Sequence, residues 1–220
     1  GWSWRDVEPF FRRVEVPLTK APLGPADRVG HTLVESLRTR GWHLHRGPYP
    51  LGGLERDVGP AMLTRDENSK RVSAADVYLN RARARTNVEL RAESPVDKVI
   101  MEGDAARGVV LADGTELLAR EVVLCAGAIH TPAILLRSGI SLAGIGLGLQ
   151  DHPSISFPVE LRGPVDSGEL AVTSLARMSS GVAAADLQIL PLDHHGRMAA
   201  GFGSIDVALM HVRSRGRVWL

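Results

Sequence analysis

An apolar run that leads directly into a turn of small residues constrains the fold of this chain most. Val122–Cys125 is typical of a buried β-strand, and Ala126 and Gly127 follow it before a helical pattern begins. A strand, a glycine turn and a helix N-terminus together let the backbone approach a bound molecule and direct free N–H groups at it. Close packing of a helix on a parallel sheet also favours Ala-Gly here, so these residues alone leave both interpretations open.

The same stretch predicts where the helix begins and ends. Thr131 is a plausible N-cap, Pro132 suits the first helical position, and Ser138-Gly139 is a stop signal. Cys125 has apolar neighbours along the predicted strand, so we expect it to be a buried thiol and not a nucleophile.

Three more helices are predicted from apolar spacing and capping residues. Ser3 with Asp6, and more weakly Ser73 with Asp76, have the spacing of a capping box, and Gly41 ends the second helix. The predicted helices cover residues 3–14, 26–40 and 73–84.

Alternation with a period of two, typical of half-buried strands, dominates the rest of the chain. Asp113-Gly114 between apolar runs predicts a hairpin, and the later strands suggest an antiparallel sheet. Residues 46–60 are rich in Gly and Pro and predict a loop, whereas 163–186 show no clear period. The predicted strands cover residues 88–90, 96–101, 108–111, 116–118, 122–125, 155–161, 187–190 and 207–212.

Composition excludes several classes of function. The chain has 220 residues, is 44% hydrophobic and carries a formal net charge of +1. That hydrophobic fraction is enough for a core, and the charge gives no electrostatic case for nucleic acid or a membrane surface. No apolar stretch approaches the roughly 20 residues of a membrane-spanning helix. A single cysteine suits a reducing compartment, so we expect a cytoplasmic location.

Histidine and carboxylate residues predict neither a metal site nor a catalytic base. His194 and His195 are adjacent and would point to opposite faces of a strand. His43 and His45 share a face, but no third ligand is near them in sequence. The run from Gln150 to Pro153 is interpreted as a hydrogen-bonded junction and not as an acid–base site.

Five collinear motifs of the chain resemble those of the glucose-methanol-choline (GMC) oxidoreductases. The fourth motif includes the Gln-Asp-His-Pro run, and the fifth begins with Ser-Arg-Gly. The motifs lie at Gly1–Val7, at Arg71–Ala75 with Tyr78–Leu79 and Arg85–Val88, at Gly127–Ile140, at Gly144–Pro153, and at Ser214–Leu220.

The resemblance implies an FAD-dependent enzyme that oxidises the CH–OH group of a small-molecule alcohol, with an electron acceptor that the residues do not identify. It implies that Val96 contacts the adenine of FAD through its backbone and that Ala126 and Gly127 pass beside the cofactor. Asp151-His152-Pro153 followed by Ile155–Pro158 is similar to the mycofactocin-associated branch, which implies a dehydrogenase that does not use oxygen.

In fold class, the resemblance implies α/β structure, in part α+β. Residues 1–152 would be part of an FAD-binding region and 153–220 part of an antiparallel substrate region, with the C-terminal segment beginning at about 213. Gly-x-Gly-x-x-Gly, the dinucleotide fingerprint, is absent from these residues, since Leu149 stands where its third glycine would be. We therefore expect an internal piece of a longer enzyme and assign no catalytic residue to it.

Two other interpretations stay open from the sequence. The first is a remnant of the family that does not bind FAD. The absence of the fingerprint and the short connection between Ile140 and Gly144 are both compatible with such a remnant. A NAD-dependent dehydrogenase fits the strand and helix pattern loosely, but it does not fit the five ordered motifs.

Overall fold

The computed structural model describes residues 1–26, 28–45, 56–165, 169–195 and 201–220. The chain divides into two compact units. The first unit comprises residues 1–88 with 152–211, and the second comprises 89–151 with 212–220. Each unit therefore consists of two segments that are separated in the sequence. The assignment of 1–152 and 153–220 to cofactor and substrate regions remains a prediction.

The helices of the described residues are short. A π-helical turn, Ala75–Leu79, runs directly into the third helix. The helices are α1 (Trp4–Phe11), α2 (Val29–Thr39), α3 (Asn80–Ala82) and α4 (Gly127–Arg137). No helix in this part of the chain is long and apolar enough to span a bilayer.

The strands form four separate sheets. They are β1 (Thr19–Lys20), β2 (His43–Leu44), β3 (Arg56–Pro60), β4 (Met62–Leu63), β5 (Val96–Glu102), β6 (Ala105–Leu111), β7 (Glu116–Leu118), β8 (Leu147–Leu149), β9 (Ser154–Glu160), β10 (Ser174–Met178), β11 (Leu187–Leu192), β12 (Phe202–Leu209) and β13 (Gly216–Arg217).

A six-stranded sheet with α2 packed on it forms the core of the first unit. Its strand order is β2-β3-β10-β11-β12-β9, and every pair is antiparallel except β2 with β3. Val34 of α2 packs between Val58 of β3 and Ala176 of β10, and all three are buried. The antiparallel sheet predicted for the later part of the chain is therefore confirmed.

Buried polar side chains fix the start of α2. Gly30 N donates to Asp193 Oδ1 at 2.6 Å, and Thr173 Oγ1 donates to Asp193 Oδ2 at 2.8 Å. Arg28, just before the helix, donates to both carboxylate oxygens of Glu169 at 2.7 and 3.0 Å. Charged groups this far from water are stable only when paired and hydrogen-bonded, as these are.

The sequence pattern does not predict three strands of this sheet, which are β2, β3 and β10. Residues 56–60 of the predicted loop form β3, while residues 46–55 of that loop lie outside the described residues. β10 lies in the stretch without a clear period. A Cβ at Gly59 would lie 2.6 Å from the His45 ring, so a glycine is needed here to leave room for that ring. In the sequence, the same glycine suggests a loop.

The second unit contains the antiparallel sheet β5-β6-β7, with α4 against β5, and the separate pair β8-β13. The predicted hairpin between β6 and β7 is confirmed, with Gly114 at a φ of +87°. Asp113 accepts a hydrogen bond from Thr115 N at 2.9 Å, and that bond lowers the pKa of Asp113.

Two predicted strands are wrong. Residues 88–90 and 122–125 form no ladder with any strand of the described chain. A β-strand is stable only where a neighbouring strand hydrogen-bonds to its backbone N–H and C=O groups. Apolar side chains alone do not provide such a neighbour. Val123 is 75% exposed and Cys125 is exposed, so the expectation of a buried thiol is also wrong.

The predicted capping boxes are present. The Asp6 carboxylate accepts hydrogen bonds from Ser3 Oγ at 2.8 Å and Ser3 N at 3.1 Å, which lower the pKa of Asp6. Asp76 has the same arrangement with Ser73, and its pKa is lowered for the same reason. The apolar stripe of α1, by contrast, is not buried in the described structure, since Phe10 and Phe11 are largely exposed.

Candidate functional site

The turn before α4 is the local feature best suited to contact a bound molecule. Gly127 opens α4 at a φ of +83°, in the left-handed region where only glycine avoids a steric penalty. A Cβ built at Gly127 would meet no atom within 4 Å, so the glycine is required by the backbone and not by crowding within this chain. Residues 125–130 are all exposed, and the first N–H groups of an α-helix have no partner within the helix.

The bounds predicted for this helix are wrong at its start. α4 begins at Gly127, so Pro132 lies inside the helix and Thr131 is not its N-cap. The Thr131 hydroxyl instead accepts a hydrogen bond from Ala126 N at 3.0 Å. That bond fixes the turn to the second turn of the helix. The predicted stop is confirmed, since Gly139 has a φ of +70° just past the helix end.

The other end of α4 is attached to β5. Val99 N donates to Ser138 Oγ at 2.8 Å, and Arg137 Nε donates to the Asp97 backbone O at 2.8 Å. Arg137 also forms an ion pair with the Asp97 carboxylate at 2.8 Å. These bonds lie on the edge of β5 that no strand of the described chain covers, and they fix helix and strand as one piece.

Val96 therefore lies near the C-terminal end of α4, and Ala126 and Gly127 form its N-terminal end. Val96 is half-buried opposite Leu111, where a bulge shifts the register of β5. An α-helix of 11 residues is roughly 16 Å long. The structure thus places the three predicted cofactor contacts in one unit but not in one cluster, and a ligand that reached all of them would have to be extended.

A cavity of about 370 Å³ lies beside the first turns of α4. A Cβ at Gly146 would lie 2.2 Å from the Val218 carbonyl oxygen, so the close approach of β8 and β13 requires glycine there. Gly148, at a φ of +79°, and Gln150 complete much of the wall. The alternating glycines from 144 to 148, which fail as a dinucleotide fingerprint, are the one signal of this cavity in the sequence. The lining residues are Ala128, Pro132, Gly146, Leu147, Gly148, Leu149, Gln150 and Val218.

The remaining candidate residues have structural partners. Gln150 Nε2 donates to the Val212 backbone O at 2.6 Å, in keeping with a hydrogen-bonded junction. His194 Nε2 is 3.0 Å from the Glu169 backbone O, and His43 Nδ1 is 3.1 Å from Asp57 Oδ1. Within the described residues, no three His, Cys, Asp or Glu side chains are grouped so that they could hold a metal ion.

Comparison with known proteins identifies the family of this chain. The family profile described as GMC oxidoreductase matches residues 1–154. A protein described as oxygen-dependent choline dehydrogenase from Paraburkholderia phymatum is 32% identical over 199 residues, covering 75% of this chain and 34% of that protein. Its counterpart from Klebsiella pneumoniae strain 342 is 30% identical over 204 residues, covering 74% of this chain and 36% of that protein. The chain therefore belongs to the GMC oxidoreductase family.

A solved structure supports the same conclusion for the fold. The crystal structure of pyridoxine 4-oxidase from Mesorbium loti matches 98% of this chain with a TM-score of 0.77 and 26% sequence identity. The match covers 51% of that protein, and the chain spans about a third of the length of the two choline dehydrogenases. The relatives are enzymes, and the mixed α and β architecture predicted from the motifs is confirmed.

Proposed function

We propose that this chain is part of an FAD-dependent enzyme that oxidises the CH–OH group of a small-molecule alcohol. The observation that carries the proposal is the family match over residues 1–154, which spans every residue that we assign to the cofactor. When bound, FAD would accept the hydride that leaves the alcohol carbon. The protein would supply binding and orientation, as proteins do for cofactors in general.

The geometry of the second unit supports a division of roles along α4. The backbone of Val96, at the Arg137 end of the helix, would hold the adenine. Ala126 and Gly127, at the other end, would let the cofactor pass close to the backbone, since Gly127 presents no side chain. FAD is an elongated molecule, so contacts at both ends of a helix roughly 16 Å long are compatible with one bound cofactor.

The division of the chain is part of the same proposal. Residues 1–152 would contribute to the cofactor region and residues 153–220 to the substrate region. No residue of this chain is assigned as a catalyst. The relatives' names suggest choline and pyridoxine as the first alcohols to test, and oxygen as the first electron acceptor.

The test is to purify the protein encoded by the complete reading frame and record its absorbance spectrum. A stoichiometric flavin that is bleached by an alcohol under anaerobic conditions would support the proposal. Reoxidation by oxygen, compared with reoxidation by an artificial electron acceptor, would then separate an oxidase from a dehydrogenase of the mycofactocin-associated kind. A folded protein that neither contains nor takes up FAD would favour the non-catalytic remnant instead, and nicotinamide binding without flavin would favour a NAD-dependent dehydrogenase.

Replacing Gly127 tests the cofactor turn directly. We expect Gly127→Ala to weaken FAD binding about tenfold, or about 1.4 kcal/mol, because the new methyl group would stand where the cofactor passes. Flavin fluorescence quenching on titration of the apoprotein with FAD measures this. The left-handed φ also costs roughly 1 kcal/mol of stability in the variant.

Gly114→Ala is the matched control. Gly114 has a φ of +87°, also has open space around its would-be Cβ, and lies in the same unit. The two variants should therefore lose similar stability, but only the Gly127 variant should lose FAD affinity. Val96→Ala should bind FAD nearly normally, since its backbone groups remain. Equal FAD affinity in both glycine variants would contradict the role of Gly127.

A further inference from the structure

Two arginines in the first unit face each other across a tight turn. Arg65 and Arg71 are direct partners in an antiparallel bridge. The Asp66 carboxylate closes the turn between them, accepting hydrogen bonds from Asn68 N and Lys70 N at 2.9 Å each. Like charges directly opposite each other across two strands are destabilising. An anion between the two side chains would therefore stabilise the pair.

No carboxylate of the described chain provides that compensation. Arg65 donates only to neutral oxygens: Thr19 Oγ1 at 3.3 Å, the Lys20 backbone O at 3.1 Å and Ser69 Oγ at 3.4 Å. Those bonds use three of the five N–H groups of the guanidinium, and they hold it in place. Arg71 is exposed and has neither an ion pair nor a hydrogen bond within the residues that the structure describes.

Both arginines line one cavity of about 360 Å³. Thr64 and Ser69 add hydroxyl groups to its wall, and Leu63 and Leu170 add an apolar side. The volume is several times the roughly 30 Å³ that a water molecule occupies in the liquid, so a multi-atom anion has room. Ser69 adopts a φ of +64°, unusual for a residue other than glycine.

Among the described residues that line the cavity, the two arginines are charged and none is a carboxylate. Asp66 is engaged in the turn, and the carboxylate of Glu169, near Arg65 in an adjacent cavity, is held by Arg28. Glu67 and Lys70 lie on the same turn, and neither lines the cavity. An anion in this cavity would thus meet two guanidinium groups.

We propose that Arg65 and Arg71 form a binding site for a phosphate group, either as free phosphate or as a phosphate monoester. The planar fork of arginine donates two parallel hydrogen bonds to phosphate oxygens, and hydroxyl groups can fill the remaining acceptor positions. The site is made of residues of the first unit, whereas the residues that we propose for FAD belong to the second. Its ligand would be a substrate group, a product or an effector that carries a terminal phosphate.

The test is isothermal titration of the protein encoded by the complete reading frame with inorganic phosphate and, separately, with glycerol 3-phosphate, with ionic strength held constant by potassium chloride. We expect saturable binding of at least one probe, and the tighter of the two identifies the source of the phosphate. Arg71→Gln should weaken binding about tenfold, because the site loses one of its two charged, fork-shaped donors.

Arg83→Gln is the matched control, since it removes the same charge from an exposed arginine that does not line the cavity. A second readout is thermal unfolding in phosphate-free buffer. There, Arg71→Gln should be at least as stable as the unaltered protein, because the repulsion with Arg65 is relieved, and it should lose the rise in Tm that phosphate produces. The proposal is overturned if neither probe binds saturably, or if Arg71→Gln binds as well as Arg83→Gln.

Discussion

Strand β3 of the first unit and the 122–125 segment of the second have opposite outcomes, and the buried one is the less apolar of the two. Val58, in the middle of β3, is 0% exposed, whereas Val123 is 75% exposed. β3 has a neighbour on each side, β2 and β10, which take up its backbone groups. Residues 122–125 have no strand beside them in the described chain.

The comparison teaches that burial in this protein follows from neighbours and not from local hydrophobicity. β3 contains Asp57, Gly59 and Pro60, which disfavour strands, yet its position between two other strands determines its structure. The apolar residues 122–125, which have no partner strand in the described chain, form no ladder and are at most partly buried. The same holds for α1, which has its capping box but, within the described chain, no surface that covers its aromatic side chains.

The largest expected effect is at the buried ion pair of the first unit. Glu169→Gln removes the carboxylate that pairs with the guanidinium of Arg28, whose side chain is 5% exposed. Breaking a buried pair on one side costs about 3–5 kcal/mol. Urea unfolding followed by tryptophan fluorescence, to which Trp42 beside the α2 core contributes, measures the loss.

Glu35→Gln is its control, because Glu35 pairs with Arg38 at 2.9 Å on the open surface of α2. Exposed pairs contribute about 0–1 kcal/mol. If the two variants lost similar stability, the distinction between the buried ion pair and the exposed ion pair would not hold.

A smaller effect separates the two regions compared above. Val58→Ala should cost about 2 kcal/mol, from two buried methyl groups and the cavity that they leave. Val123→Ala should change the free energy of unfolding by less than about 0.5 kcal/mol, because an exposed side chain is removed. Chemical denaturation of both variants in parallel gives the answer. A large loss for Val123→Ala would mean that residues 122–125 are covered in solution.

The smallest effect concerns the pH dependence of the loop before β11. Two hydrogen bonds from Ser180, from its hydroxyl at 2.6 Å and its amide at 2.7 Å, lower the pKa of Asp186 below its ordinary value of 3.8. A carboxylate with a depressed pKa stabilises the fold above its ordinary value, and that stability is lost as the pH falls through the folded value. Asp186→Asn should therefore be less stable than the unaltered protein at neutral pH, with the difference shrinking in acid.

Urea midpoints recorded from neutral down to acid pH test this. Ser180→Ala removes the hydroxyl that contributes most to the depression, so its pH dependence should resemble that of Asp186→Asn. A constant difference between the Asp186 variant and the unaltered protein at every pH would exclude the ionised carboxylate as the cause.

Local signals in the sequence predict the four helices and six of the thirteen strands of the described residues. Most of the other strands depend on pairing with segments that are distant in the chain. Ser3 with Asp6 and Asp113 with Gly114 specify a helix start and a hairpin within a few residues, and both are confirmed. β10 and β3 depend on each other across more than a hundred residues, and nothing in either segment reveals the pairing. The predicted start of α4 is wrong because Thr131 bonds back to Ala126 instead of capping the helix.

The candidate site is predictable only in part for the same reason. Gly127 stands out because a strand-like run, a small-residue turn and a helix are adjacent in sequence, and its positive φ agrees with a turn there. Gly146 does not stand out, because its partner Val218 is distant in the chain. That Val96 and Gly127 contact FAD comes only from the family resemblance and stays a proposal.

The discontinuous make-up of the two units has a consequence for synthesis on the ribosome. β8 ends at Leu149, whereas its partner β13 begins only at Gly216. In the same way, β3 is synthesised long before its partner β10. At ordinary elongation rates the wait between such partners is on the order of several seconds. Neither unit can complete its pairing until most of the chain has emerged. The nascent protein therefore exposes apolar strand edges throughout that interval, and we expect its yield to depend on chaperones more than its length suggests.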